Sequence, residues 1–86
     1  MNIIVKKPTE AEKTAMELQS VWGCGVSKFD WFYDQEETCL LTEGEVTVTH
    51  DGGSVRIVAG DYVVFPKGLC CVWDVTQPVK KHYIFK

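Results

Sequence analysis

The stretch GDYVVFPKGLCCVWDV, Gly60 to Val75, decides the fold. A glycine turn leads into the apolar run Tyr62-Val63-Val64-Phe65. That run stops at Pro66-Lys67-Gly68, and a second begins at Leu69 and carries Cys70, Cys71, Val72 and Trp73. Short runs rich in β-branched and aromatic residues, bounded by glycine and proline, read as strands joined by a turn. Side chains alternate along a strand, so Cys71, Trp73 and Val75 share one face while Cys70 and Val72 take the other.

The same pattern extends in both directions. KFDWFYD, Lys28 to Asp34, alternates and places Phe29, Trp31 and Tyr33 on one face. ETCLLTEG, Glu37 to Gly44, reads as a strand ending in a glycine turn. EVTVTHDGGSVRIV, Glu45 to Val58, reads as a hairpin turning at Asp51-Gly52-Gly53. LCCVWDV and KHYIFK are two further strands. Toward the N-terminus, Asn2 to Pro8 is a short strand ended by proline. Thr9 to Ser20 is a short helix, with Thr9 as cap and Glu12 as its capping-box partner. Trp22 to Gly25 is expected to be a turn or bulge. The expected fold is all-β: a small barrel or double-sheet jelly roll with one short N-terminal helix. With 86 residues and no repeat or linker, residues 1–86 are expected to form one domain.

Composition narrows the function. Net charge is −3 and no basic stripe appears, which argues against nucleic acid as partner. The apolar runs are too short to span a membrane. The N-terminus lacks the long apolar core of a secretory signal, so a cytoplasmic location is expected. The four cysteines, Cys24, Cys39, Cys70 and Cys71, form no CxxC pair, and they are read as free thiols rather than a zinc or thioredoxin-like site.

The motif spacing resembles the cupin family. Gly25 is followed by five residues, then Trp31-Phe32-Tyr33, three residues, Glu37, six residues and Gly44. Gly60 is followed by five residues, then Pro66-Lys67-Gly68, two residues, Cys71, three residues and Val75. Both match cupin spacings, and the chain looks most like small cupins grouped with the ureidoglycine aminohydrolase cupin domain. The resemblance implies a pocket. Metal-binding cupins hold an ion with two histidines, a glutamate and a later histidine, and this chain has Trp31, Tyr33, Glu37 and Cys71 at those places. An indole nitrogen only donates, and one carboxylate with one thiol falls short of a stable site, so no metal or other cofactor is expected.

Strand parity then adds Cys39 beside Glu37 and Trp73 beside Cys71. The expected cup is Trp31, Tyr33, Glu37, Cys39, Cys71 and Trp73. Glu37 is the candidate acid/base or polar anchor, and Cys71 a candidate nucleophile. The aromatic rings would stack a flat or cationic ligand. His82 is a further candidate ligand-binding residue if the last strand lines the pocket. Phe32, Cys70 and Val72 face outward and apolar, as expected of a second sheet or a homodimer interface. Three readings stay open: a metal-free small-molecule-binding cupin; an enzyme, a hydrolase or isomerase acting on a small nitrogenous metabolite through Glu37; and a dimerising module with a vestigial pocket.

Overall fold

A computed structural model describes all of residues 1–86. The elements are β1 (Ile4–Lys6), α1 (Glu10–Glu17), β2 (Ser20–Cys24), β3 (Ser27–Phe32), β4 (Glu37–His50), β5 (Gly53–Val58), β6 (Tyr62–Phe65) and β7 (Cys70–Phe85). All pairings are antiparallel. The sheet runs β1-β6-β4-β7-β2, with β5 also on β4 and β3 also on β7. No helix is long and apolar enough to cross a membrane.

The expected helix and its cap are present. The Glu12 N–H donates to Thr9 Oγ1 at 3.1 Å, and the Thr9 N–H donates to Glu12 Oε1 at 2.9 Å. This reciprocal box satisfies two N–H groups that a bare helix end leaves orphaned. The helix lies against β4 and β7 and buries Met16. Thr38 and Leu40, which point away from the main core, are buried as well. This part of β4 is therefore covered on both faces, and every residue from Glu37 to Leu41 is buried.

Three expectations are revised. Trp22 to Gly25 is not a turn: β2 carries the chain to Cys24 and pairs Trp22 with Lys81. LCCVWDV and KHYIFK are not separate strands, because β7 runs unbroken from Cys70 to Phe85. Gly44 does not end a strand but sits inside β4, which runs through it to His50. The β4–β7 register slips between Leu41 and Val46. Before the slip Cys39 and Leu41 face the core; after it Val46 and Val48 do. An odd number of extra residues changes the parity of a strand, and a β-bulge does this without breaking the sheet. Sequence spacing could not distinguish a bulge from a turn, since both call for glycine.

The sheet curls on itself. Going from β6 to β3 crosses three strand spacings, roughly 14 Å in a flat sheet. Yet the Tyr33 ring, just past β3, stacks on Phe65 of β6 at 4.8 Å and 8°. Inward residues of β4, β5, β6 and β7 then meet in a cluster of 13 buried apolar side chains that includes Val46, Ile57, Val63, Phe65 and Trp73.

Gly44 has φ +89°, and a Cβ there would strike the Pro78 carbonyl. Gly25, the first glycine of the motif, has open space around it. Gly44→Ala is expected to cost about 2 kcal/mol or more, from left-handed backbone strain plus overpacking. Gly25→Ala should stay within about 0.5 kcal/mol. Urea denaturation of both variants checks this, and equal losses would refute the bulge as the constrained point.

Candidate ligand pocket

At one end of the curled sheet is a cavity of about 250 Å³. Its inner wall is Tyr33, Glu37, Trp73 and Lys81; Phe29 and Tyr83 also contribute, and Trp22, Trp31 and Phe85 reach it from the exposed rim. Each strand supplies alternate residues. β7 contributes Trp73, Lys81, Tyr83 and Phe85, all of one parity. Cross-strand pairing brings Trp22 beside Lys81 and Phe29 beside Trp73. Glu37, at the start of β4, stands between Phe65 on one side and Phe85 on the other.

Glu37 is not a lone acid. Lys81 Nζ donates to Glu37 Oε2 at 2.6 Å, with side-chain exposures of 8% and 1%. The same ammonium lies 4.6 Å from the Trp73 ring centroid, 5.0 Å from Trp22 and 6.0 Å from Tyr83. Removing two charges from water costs several kcal/mol each, and attraction across 2.6 Å together with the negative ring faces offsets that cost. The rings are ordered in turn: Phe29 stacks on Trp73 at 6.1 Å, and Trp22 meets Trp73 edge-on at 6.0 Å.

Three buried polar atoms on this wall have no hydrogen-bond partner: Tyr33 Oη, Glu37 Oε1 and Trp73 Nε1. Burial pushes the Tyr33 phenol well above its ordinary range, and the nearby Glu37 carboxylate pushes it further. The hydroxyl and the carboxylate are close neighbours that stop short of hydrogen-bond geometry. Tyr33 is therefore a neutral hydroxyl at any physiological pH.

The sequence-derived cup divides in space. Trp31, Tyr33, Glu37 and Trp73 line the cavity together. Cys39 and Cys71 do not, although their parity is right: both pack into the apolar cluster. The Cys71 thiol donates to the Trp31 carbonyl at 3.6 Å. Burial pushes Cys71 up to about 11 and Cys39 up to about 12, so neither is a thiolate near neutral pH. His82 faces the opposite side of β7 and lies 3.1 Å from the Gln19 carbonyl. The last strand does line the pocket, but through Lys81 and Tyr83 on the other parity. Outward-facing Phe32 and Cys70 are exposed, beside half-buried Val72.

Sequence reading missed Trp22, Phe29, Lys81, Tyr83 and Phe85, of which Lys81 matters most. Lys81 sits in the charged pair Lys80-Lys81, which looks like ordinary solvated surface. The available signal was its parity with Trp73, which shows only once β7 is one strand.

A divalent metal of the kind cupins carry does not fit these residues. Of the family's ligand positions, Trp31 offers no acceptor, Tyr33 is a protonated phenol and Cys71 lies outside the cavity. Glu37 already spends one oxygen on an ammonium. No three His, Cys, Asp or Glu side chains are grouped to hold an ion.

This curled antiparallel sheet with an aromatic pocket is a cupin. More narrowly, the chain matches the EutQ-like cupin domain over residues 11–83 and belongs to that family. A DUF861-family protein from Thermotoga maritima superposes with a TM-score of 0.93 at 43% identity, over 99% of this chain and 100% of that one. Acetate kinase EutQ of Escherichia coli (strain K12) is 34% identical over 56 residues, which cover 65% of this chain. The chain spans only 24% of that protein's length. The Clostridium difficile EutQ protein shares the fold, with a TM-score of 0.70 at 19% identity over 96% of this chain and 66% of that one.

Three outcomes follow from the site. Lys81→Met should cost about 3–5 kcal/mol because it strands a buried carboxylate, whereas adding Glu37→Leu should restore most of the loss. A denaturation cycle showing purely additive costs would deny the coupling. The raised thiols also make stability pH-dependent. Folded Cys39 and Cys71 hold their protons more tightly than the ordinary value of 9.0. Stability from this source is complete below pH 9.0 and is lost as pH rises toward about 11 and about 12. In native protein at pH 8, iodoacetamide should label exposed Cys70 first and Cys39 last, as read by peptide mass spectrometry.

Proposed function

We propose that this chain is a small-molecule-binding cupin whose ligand enters the aromatic cavity and is held without a metal. The observation that carries the reading is the set of three unpartnered polar atoms on the wall of an otherwise aromatic cavity. Buried polar groups are almost always hydrogen-bonded, and leaving one unpaired costs about 1–3 kcal/mol. A domain this small would replace such atoms with apolar ones if the cavity served only packing. An occupant that supplies the missing partners recovers that energy on binding. Each of the three atoms is close to fully covered, so the occupant reaches them through small side-chain shifts, which are common at binding sites. The volume, about 250 Å³, is slightly below the range of drug-sized pockets and suits a metabolite-sized molecule.

The enzymatic reading has less support. A general base needs a free lone pair within reach of the substrate proton, and only Glu37 Oε1 offers one here, since Lys81 holds Oε2. The buried thiols are protonated and pack into the apolar cluster outside the cavity. The kinase activity in the name of the E. coli relative belongs to a protein of which this chain matches only 24%.

All three tryptophans, Trp22, Trp31 and Trp73, line the cavity, so intrinsic fluorescence reads its occupancy directly. A small-metabolite screen is expected to yield ligands that change the emission and raise Tm. Tyr33→Phe should have effects of opposite sign. It removes an unpaired buried hydroxyl and so stabilises the free protein, by roughly 1 kcal/mol, while weakening ligand binding several-fold. A screen in which no compound alters emission or Tm would defeat the proposal, as would a Tyr33→Phe protein that is less stable yet binds as tightly as the parent.

A further inference from the structure

We propose that Lys81 is the specificity-determining residue of the pocket: its ammonium fills a complete cation seat, shuts out cationic ligands, and selects a small neutral molecule with a carboxamide-type edge. The inference rests on the binding function proposed above and adds the class of ligand.

The surroundings of Lys81 Nζ are those of a receptor for a positive charge. A buried carboxylate stands at 2.6 Å, and the rings of Trp73, Trp22 and Tyr83 stand at 4.6, 5.0 and 6.0 Å. An aromatic box closed by one acid is how proteins recognise ammonium ligands. Here the chain provides the ammonium itself, tethered to β7. A second cation would have to share Glu37 with the first and meet like-charge repulsion in a site shielded from water. An anion fares little better, because it would sit against Glu37 Oε1, which is a bare acceptor.

With the pair summing to zero charge, the unpartnered atoms define the rest. Glu37 Oε1 requires a donor from the ligand. Trp73 Nε1–H requires an acceptor. The Tyr33 hydroxyl takes either role. A neutral carboxamide carries an N–H donor and a carbonyl acceptor in one flat group, and the ring faces of Trp22, Trp31 and Trp73 suit a flat body attached to it. Lys81 has donors to spare, since only one of its three is used by Glu37.

The test is a matched set of probes of one shape and three charges: benzamide, benzoate and benzylammonium. Binding to the whole chain is read by tryptophan fluorescence and ligand-observed NMR. The unmodified protein should bind benzamide at least tenfold more tightly than either charged probe. Lys81→Met should invert the order and favour benzylammonium at least tenfold over benzamide, because the seat is then open beside an uncompensated carboxylate. Glu37→Gln should instead favour benzoate. If either variant fails to fold, the ranking in the unmodified protein still decides, together with the charge of any ligand found by the metabolite screen. A neutral ligand supports the inference. A cationic one, or benzylammonium binding the unmodified protein as well as benzamide does, overturns it while leaving small-molecule binding intact. If no probe and no screened metabolite binds, the proposed binding function fails and the inference fails with it.

Discussion

The buried ion pair between Lys81 and Glu37 is the constraint around which the pocket is organised. Neither partner is tolerable alone at that depth. Each therefore obliges the fold to deliver the other to within 2.6 Å, from positions 44 residues apart in sequence. The fold does so with its two longest strands. β4 and β7 run side by side, so the first residue of β4 and the eighty-first of the chain face the same space. The ring faces that contact the ammonium make the pair affordable and also form most of the cavity wall. The ion pair and the cavity wall thus draw on the same side chains, which is why the site cannot be reduced to plain apolar filler one residue at a time.

The bulge at Gly44 belongs to the same arrangement. β4 has to present Glu37, Cys39 and Leu41 inward at one end and Val46 and Val48 inward at the other. A regular strand cannot satisfy both parities. The register slip against β7 resolves the conflict, and it needs a positive φ together with close approach of the Pro78 carbonyl, which only glycine permits. The glycine that the family motif places last is therefore the one under constraint, while the first, Gly25, meets nothing.

Membership of the EutQ-like cupin family carries the fold and the location of the pocket, but the chemistry of the pocket is this chain's own. Where cupins with metals gather imidazoles around an ion, this chain has an indole at the rim, a neutral phenol, and a carboxylate already matched with a fixed ammonium. The site is polar without being charged overall.

Several things were determined by the sequence alone. Thr9 and Glu12 announce the helix start through a purely local box. Alternation in Lys28–Asp34 and Leu69–Val75 sets which faces are apolar. The paired glycine and proline spacings identify the cupin architecture and place Trp31, Tyr33, Glu37 and Trp73 about one pocket. These features are legible because they depend on neighbours a few residues away or on turn geometry. The tertiary structure alone decided that β7 is one strand, that β4 slips its register, and that Cys39 and Cys71 pack into the core while Lys81 and Trp22 line the cavity. Parity tells which way a side chain points but not how far along a curled sheet the cavity extends. A lysine in a charged pair near the C-terminus reads as surface until the strand beside it supplies a buried carboxylate. That partner is contributed by the fold, and no local pattern in the chain encodes it.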